Sequence, residues 1–333
     1  MSELRYHPFL DQWVITATHR QERTFLPPPD FCPLCPTKPG GFPTEIPLES
    51  YDVAVFENRF PSLRPHPEHP AIEGSGLIPV RPSAGVCEVV CYTDRHDSTL
   101  AQLPDSQARK LARVWQERYL ALGERPEVEY VFIFENKGKE IGVTLLHPHG
   151  QIYAYPFIPP VPKTELESER RHFHQHARPL MQDWLAFECG LDPAAPHPDG
   201  FQAKGPRLVW QNDSFVAIVP FFARYPYEVH VAAKTHLPSL RQMQENHLDD
   251  LAEALLAVAR KYDRLFGFSL PYIMSMHQEP TTPGYEFAWF HVEFYPPYRT
   301  ADKLKYLAGS EAGAGAFIND TLPEQTAPIL RDL

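Results

Sequence analysis

No stretch of this 333-residue chain stays apolar for the roughly 20 residues that a helix needs to cross a bilayer. The opening MSELRYHPFLDQW also lacks the short apolar core of a secretion signal, so a cytoplasmic protein with no membrane partner is expected. Positive charge is scarce: 31 Lys and Arg face 42 Asp and Glu, a net charge of -11. That balance excludes nucleic acid as a main partner, although local basic groups could still hold a small anion. Cysteine is sparse as well. Five in a chain of this length, an odd number, do not make a disulfide framework, and reduced thiols available to a metal are the better reading. What the chain has in plenty is proline, 37 residues that include runs at 27–29, 61–70 and 156–162, where they imply long ordered connections with little regular structure.

The segment with most chemistry in it is His147-Pro148-His149-Gly150-Gln151. Side chains at i, i+2 and i+4 share one face of a strand, so an extended backbone here points two imidazoles and a carboxamide to the same side. A strand serving only the core would carry Val, Ile or Leu at those positions. Two histidines and a glutamine can instead hold a nucleophile, orient it and donate a hydrogen bond to an anion. The blander alternative is a surface or structural His-x-His.

The chain also repeats itself. Glu88 to His96, followed by Leu100, resembles Glu228 to His236, followed by Leu240. Each copy continues with a helical pattern closed by glycine, Leu111 to Gly123 and Leu248 to Gly267, and then a strand, Val128 to Phe134 and Tyr272 to Met276. His147 has its counterpart in His291, and Val53 to Val55 echoes Val216 to Ile218. Landmarks in one order at near-constant offsets indicate duplication of a strand-strand-helix-strand-strand unit. An antiparallel sheet carrying one helix per copy is an α+β architecture. The expected division is residues 1–162, a connecting segment 163–205, and residues 206–333. One helix is expected over Lys163 to Gly190, with Phe173, Ala177, Leu180, Met181 and Trp184 on one stripe, and a linker over Asp192 to Gly205. His172, His174 and His176 are too far apart around that helix to chelate together and read as a solvated face.

Cys32-Pro33-Leu34-Cys35 is half of a tetrahedral zinc site. A redox motif fits less well, since no helix pattern follows Cys32. His96 and His147 are candidates to complete the site. Cys87 and Cys91 compete for that role, although a buried structural role suits them equally.

These residues together resemble the galactose-1-phosphate uridylyltransferases, a branch of the histidine-triad superfamily. The resemblance runs through residues 18–23, Cys32 to Cys35, Phe56 to Phe60, Cys91 to His96, Phe134 to Gly138, His147 to Gln151, Trp289 to Pro297 and Lys305 to Glu311. It implies a duplicated histidine-triad-like domain whose antiparallel sheets form a half-barrel with helices packed on them, assembled as a homodimer with shared active sites. It implies UDP-glucose and galactose 1-phosphate as substrates, His149 as the nucleophile that takes the uridylyl group, and Gln151 as the phosphate holder. Arg20 and Arg23 match the family's arginines that reach the diphosphate from the partner subunit. Asn58, Phe60, Asn136 and Thr144 match positions around uridine and phosphate, and Lys305 and Glu311 match the segment that reaches the hexose.

Zinc at Cys32, Cys35, His96 and His147 is implied, together with a second metal, iron or zinc, at Glu165, His277, His291 and Glu293. Two departures stand out: Glu293 replaces a histidine of several members, and Phe317 stands where a glutamine is expected. The alternatives are another nucleotidyltransferase of the superfamily, such as an ADP-sugar phosphorylase, and a noncatalytic zinc protein that binds a partner.

Overall fold

The structure, a computed structural model, describes residues 2–23, 28, 31–192 and 200–333, without the side chains of residues 22 and 23. The chain opens with the hairpin β1 (Ser2–His7) and β2 (Gln12–Ala17). The first half continues through β3 (Ala54–Glu57), β4 (Val80–Pro82), β5 (Val86–Cys91), helix α1 (Asp105–Gly123), β6 (Tyr130–Lys137) and β7 (His149–Tyr155). Helices α2 (Pro160–His176) and α3 (Leu180–Cys189) follow. The second half is β8 (Leu208–Gln211), β9 (Phe215–Ile218), β10 (Val229–Ala233), α4 (Glu245–Leu265), β11 (Tyr272–His277) and β12 (His291–Tyr295).

One open antiparallel sheet runs through both halves in the order β3-β5-β7-β6-β11-β12-β10-β9-β8. The order β3-β5-β7-β6 is repeated in reverse as β11-β12-β10-β9, and the halves join where β6 pairs with β11, Phe134 opposite Ser275. The α+β class and the duplication therefore hold. Helices α1 and α4 lie side by side on one face, where Leu111 and Trp115 of α1 and Leu251 and Leu255 of α4 share a core with Val90, Ile152 and Val231 of the strands. Fully burying each such side chain stabilises by about 1.5–3 kcal/mol before conformational entropy is subtracted. The opposite face is left for chemistry. No described helix is long and apolar enough to cross a membrane.

Three details differ from the sequence expectation. The single helix over 163–190 is two helices, because Ala177 adopts a left-handed conformation and Pro179, which has no N–H to donate, begins the second. His172 consequently folds back onto Asp183, 2.9 Å from its carboxylate, and its ring lies tilted against that of His176, so it is not simply a solvated residue.

The second difference is the start of the strand that carries His149. Regular pairing begins at His149, opposite Cys91, and His147 precedes it. The third is a one-residue slip in the repeat. His149 faces Cys91 across the pair, and its counterpart Glu293 faces His230, so Cys91 corresponds to His230 and not to Val231. A slip of one residue exchanges the faces of a strand, and it places His230 on the same side as His291 and Glu293. The expected linker over 192–205 lies partly outside the described residues.

Candidate active site

Along β7 the residues alternate. Ile152 and Ala154 enter the helix-covered core, whereas His149, Gln151 and Tyr153 turn to the other face. Nδ1 of His149 lies 2.7 Å from the backbone oxygen of His147. Donation from Nδ1–H to that carbonyl selects the tautomer whose Nε2 carries the lone pair. Burial lowers the pKa of this imidazole, which favours the neutral, nucleophilic form. Between His149 and Gln151, Gly150 cannot be replaced without collision: a Cβ there would run into the Tyr92 hydroxyl and crowd the Phe134 carbonyl.

Gln151 is oriented by a neighbour. Asn58 donates through Nδ2 to Oε1 of Gln151 at 3.1 Å, while its own Oδ1 accepts from the Phe60 backbone N–H at 2.9 Å. With its oxygen occupied, Gln151 has its amide N–H groups to offer. Both His149 and Gln151 line a cleft of about 510 Å³, and so do Asn58, Phe60, Asn136 and Thr144. The structure thus collects six of the expected residues in one place.

Of the remaining substrate candidates, Arg20, Lys305 and Glu311 do not line the cleft. Arg20 donates to the hydroxyls of Ser62 and Tyr153, the latter at 3.2 Å and on the same face of β7 as His149. The Arg23 side chain lies outside the described residues. Lys305 and Glu311 form a buried ion pair of 3.2 Å with each other. Phe317 packs against Arg224 and Tyr225, which accounts for an aromatic ring at that position.

His147 does not point with His149 into the cleft. It is buried, and its Nδ1 lies 3.5 Å from Sγ of Cys35, which lies equally far from Nδ1 of His96. The donor atoms of Cys32, Cys35, His96 and His147 all lie within 4.8 Å of one another. For bonds of about 2.3 Å to sulfur and about 2.0 Å to nitrogen, tetrahedral angles separate the two donors by about 3.5 Å. The spacing fits one ion. On its other side, Nε2 of His147 lies 2.8 Å from both the Thr93 carbonyl and the Tyr51 hydroxyl, which leaves Nδ1 to face the thiols. Burial, with Cys32 adding to it, pushes the Cys35 thiol up to about 12, and a bound cation is what would reverse that preference.

A second cluster occupies the equivalent place in the other half. Glu165, His277, His291 and Glu293 bring their donor atoms within 4.8 Å of one another. Nε2 of His277 and Nε2 of His291 lie 3.5 and 3.6 Å from the two Glu293 oxygens, which again fits a shared ion. Glu165 sits 2.6 Å from Nδ1 of His277, where it orients that ring. Two residues missed in the sequence complete the surroundings: Arg224 at 3.3 Å and His230 at 3.2 Å from Glu293. Burial alone would raise the Glu293 carboxyl, but His230, His277 and His291 hold it well below the usual range. Glu228-x-His230, with both side chains on one face of a strand, was the available signal for His230.

Comparison with known proteins accords with this geometry. Residues 1–159 match the model of the galactose-1-phosphate uridyl transferase N-terminal domain, and residues 165–333 that of its C-terminal domain. The chain is 39% identical over 335 residues to a galactose-1-phosphate uridylyltransferase of Thermotoga maritima, covering 100% of this chain and 98% of the relative. Among solved structures, a uridylyltransferase superposes with a TM-score of 0.85 at 32% identity, covering 99% of this chain and 97% of the other. An ADP-glucose phosphorylase from Arabidopsis thaliana shares the fold, with a TM-score of 0.72 at 21% identity over 100% of this chain and 99% of the other.

Proposed function

The chain belongs to the galactose-1-phosphate uridyl transferase family, and we propose that His149 carries its reaction by holding UMP covalently between two half-reactions. The enzyme is a nucleotidyltransferase that moves a uridylyl group from UDP-glucose to galactose 1-phosphate. The observation that carries the role of His149 is its hydrogen bond to the His147 carbonyl, which commits Nδ1 and leaves Nε2 to the cleft.

In the first half-reaction Nε2 attacks the α-phosphorus of UDP-glucose. The N–P bond forms, the bond from that phosphorus to the bridging oxygen breaks, and glucose 1-phosphate leaves with the electron pair. The positive charge that develops on the ring is stabilised by the Nδ1–H bond to the carbonyl. Gln151, held by Asn58, donates to the non-bridging oxygens, where negative charge must be accommodated. A sugar phosphate is already a good leaving group, so a glutamine suffices where a proton donor would otherwise be needed. In the second half-reaction a phosphate oxygen of galactose 1-phosphate attacks the same phosphorus and the N–P bond breaks, which regenerates the neutral imidazole and releases UDP-galactose. The kinetics are ping-pong.

Zinc at Cys32, Cys35, His96 and His147 would tie the N-terminal loop to the start of β7 and so position His149. Glu165, His277, His291 and Glu293 would hold a second ion, zinc or iron, with a structural role; a carboxylate in place of an imidazole favours the harder ion. The working form is a cytoplasmic homodimer in which Arg20 and Arg23 reach the partner's diphosphate and the Lys305 to Glu311 segment reaches the hexose. Residues 1–162 and 206–333 act as the two histidine-triad-like domains, joined by 163–205.

The test is incubation with UDP-glucose labelled in the uridylyl phosphate, without acceptor. Acid-labile label on His149 is expected, and added galactose 1-phosphate should discharge it. Label arriving from ADP-glucose instead would overturn the choice of nucleotide.

A further inference from the structure

Among the described residues that line the cleft of His149, Glu45 is the one carboxylate, and the chemistry above gives it no task. Glu45 lines the cleft together with Arg59, whose Nη1 lies 3.1 Å from Oε1 of Glu45. Its side chain is 28% exposed, accessible to a ligand but walled on one side by protein. A carboxylate in a cleft for an anionic sugar nucleotide would repel the phosphates, so it must face a part of the ligand that donates hydrogen bonds.

The lining of the cleft narrows the choice. His149, Gln151 and Asn58, the groups assigned above to the reacting phosphate, belong to the lining, and Leu34, Phe56 and Val89 offer an apolar wall of the kind that accepts the face of a base. Between base and phosphate a nucleotide presents a ribose, whose vicinal hydroxyls are two donors on adjacent carbons. A carboxylate accepts from such a pair, as acidic residues do at the ribose of dinucleotides. The placement of Glu45 is also linked to the catalytic end. Asn58 and Arg59 are consecutive, and while Asn58 reaches Gln151, Arg59 reaches Glu45. The Arg59 guanidinium neutralises the carboxylate and holds its direction, leaving lone pairs on both oxygens for the ligand.

We propose that Glu45, held by Arg59, reads the ribose hydroxyls of the nucleotide and selects ribonucleotides over deoxyribonucleotides. The proposal rests on the uridylyl-transfer reading of the cleft. Binding needs no turnover, so the two can be tested apart.

The experiment measures binding of UMP and 2′-deoxy-UMP by calorimetry to the wild type, Glu45→Ala and Glu45→Gln. The wild type is expected to prefer UMP on the order of 10- to 100-fold, the range for a hydrogen bond to a charged group. Glu45→Ala should lose that preference by weakening UMP binding while 2′-deoxy-UMP binding changes little, and Glu45→Gln, which keeps one neutral acceptor, should fall between. No preference in the wild type, an unchanged preference in Glu45→Ala, or equal weakening for both nucleotides overturns the assignment. Absence of label on His149 alongside an intact, Glu45-dependent preference would instead overturn the transfer reaction and leave the ribose reader standing.

Discussion

The backbone oxygen of His147 sets the tautomer of His149, 2.7 Å away, while the His147 ring itself turns to the thiols of the N-terminal loop. One residue thus belongs to two structures at once, its main chain to the proposed nucleophile and its side chain to the candidate metal ligands. A disturbance of those ligands would reach the His149 ring through a single peptide unit.

Replacing His149 by glycine should abolish uridylyl transfer, by up to the order of 10⁶-fold, the scale reported for removal of a catalytic nucleophile. The thermal transition and metal content should be nearly unchanged. Retention of substantial exchange activity would show that another group carries the phosphorus.

Asn58→Leu removes the partner that orients Gln151, and a lost neutral hydrogen bond of about 1 kcal/mol predicts roughly a fivefold to tenfold fall in kcat. Gln151→Glu should cost more, about 10²–10³-fold, because a donor aimed at developing negative charge becomes an anion. Single-turnover label transfer separates the two; equal small effects would remove Gln151 from the phosphate.

Metal analysis of carefully reduced protein should find zinc that Cys35→Ser loses. The same variant should lower the melting temperature and slow transfer, since the loop no longer fixes the residue before β7. A protein purified with no zinc yet fully active would dispose of the cluster's proposed part. Glu293→Ala should remove the second ion and spare the first.

Glu135 gives a pH dependence of stability that is independent of the active site. This buried β6 carboxyl accepts from the Tyr92 and Tyr272 hydroxyls at 3.4 Å, and burial raises its pKa from 4.5 to about 7. A folded-state pKa above the unfolded value means that the protonated form is favoured on folding. Its contribution is full below pH 4.5 and is lost as pH rises through about 7, a change of at most about 3 kcal/mol. Glu135→Gln should therefore flatten denaturation midpoints across that window and raise the melting temperature at pH 8. A mutant less stable than wild type at pH 8 would contradict this.

Helices α1 and α4, their glycine boundaries and the duplication were legible because helical period and repeat spacing are local properties of the chain. So was the pairing of His149 with Gln151, since neighbours two apart on a strand must share a face. The helix break at Arg178-Pro179 was legible in principle, yet the apolar stripe through Ala177 and Leu180 masked it. Arg224 and His230 around Glu293 were not, because they come from elements distant along the chain from β12 and their approach depends on strand register. The same is true of Glu45 against Arg59.

Alternation and residue chemistry alone determined that a histidine and a glutamine share one strand face and that two cysteines have the spacing suited to a metal. Only the packed sheet decided that His147 and His149 part company, one ring to the thiols and the other to the cleft. Pairing of β7 with β5 starts at His149, and the backbone just before it is free to turn. A pattern of side chains tells which faces are possible, but the contacts that hold a particular rotation come from strands and loops that only folding brings together.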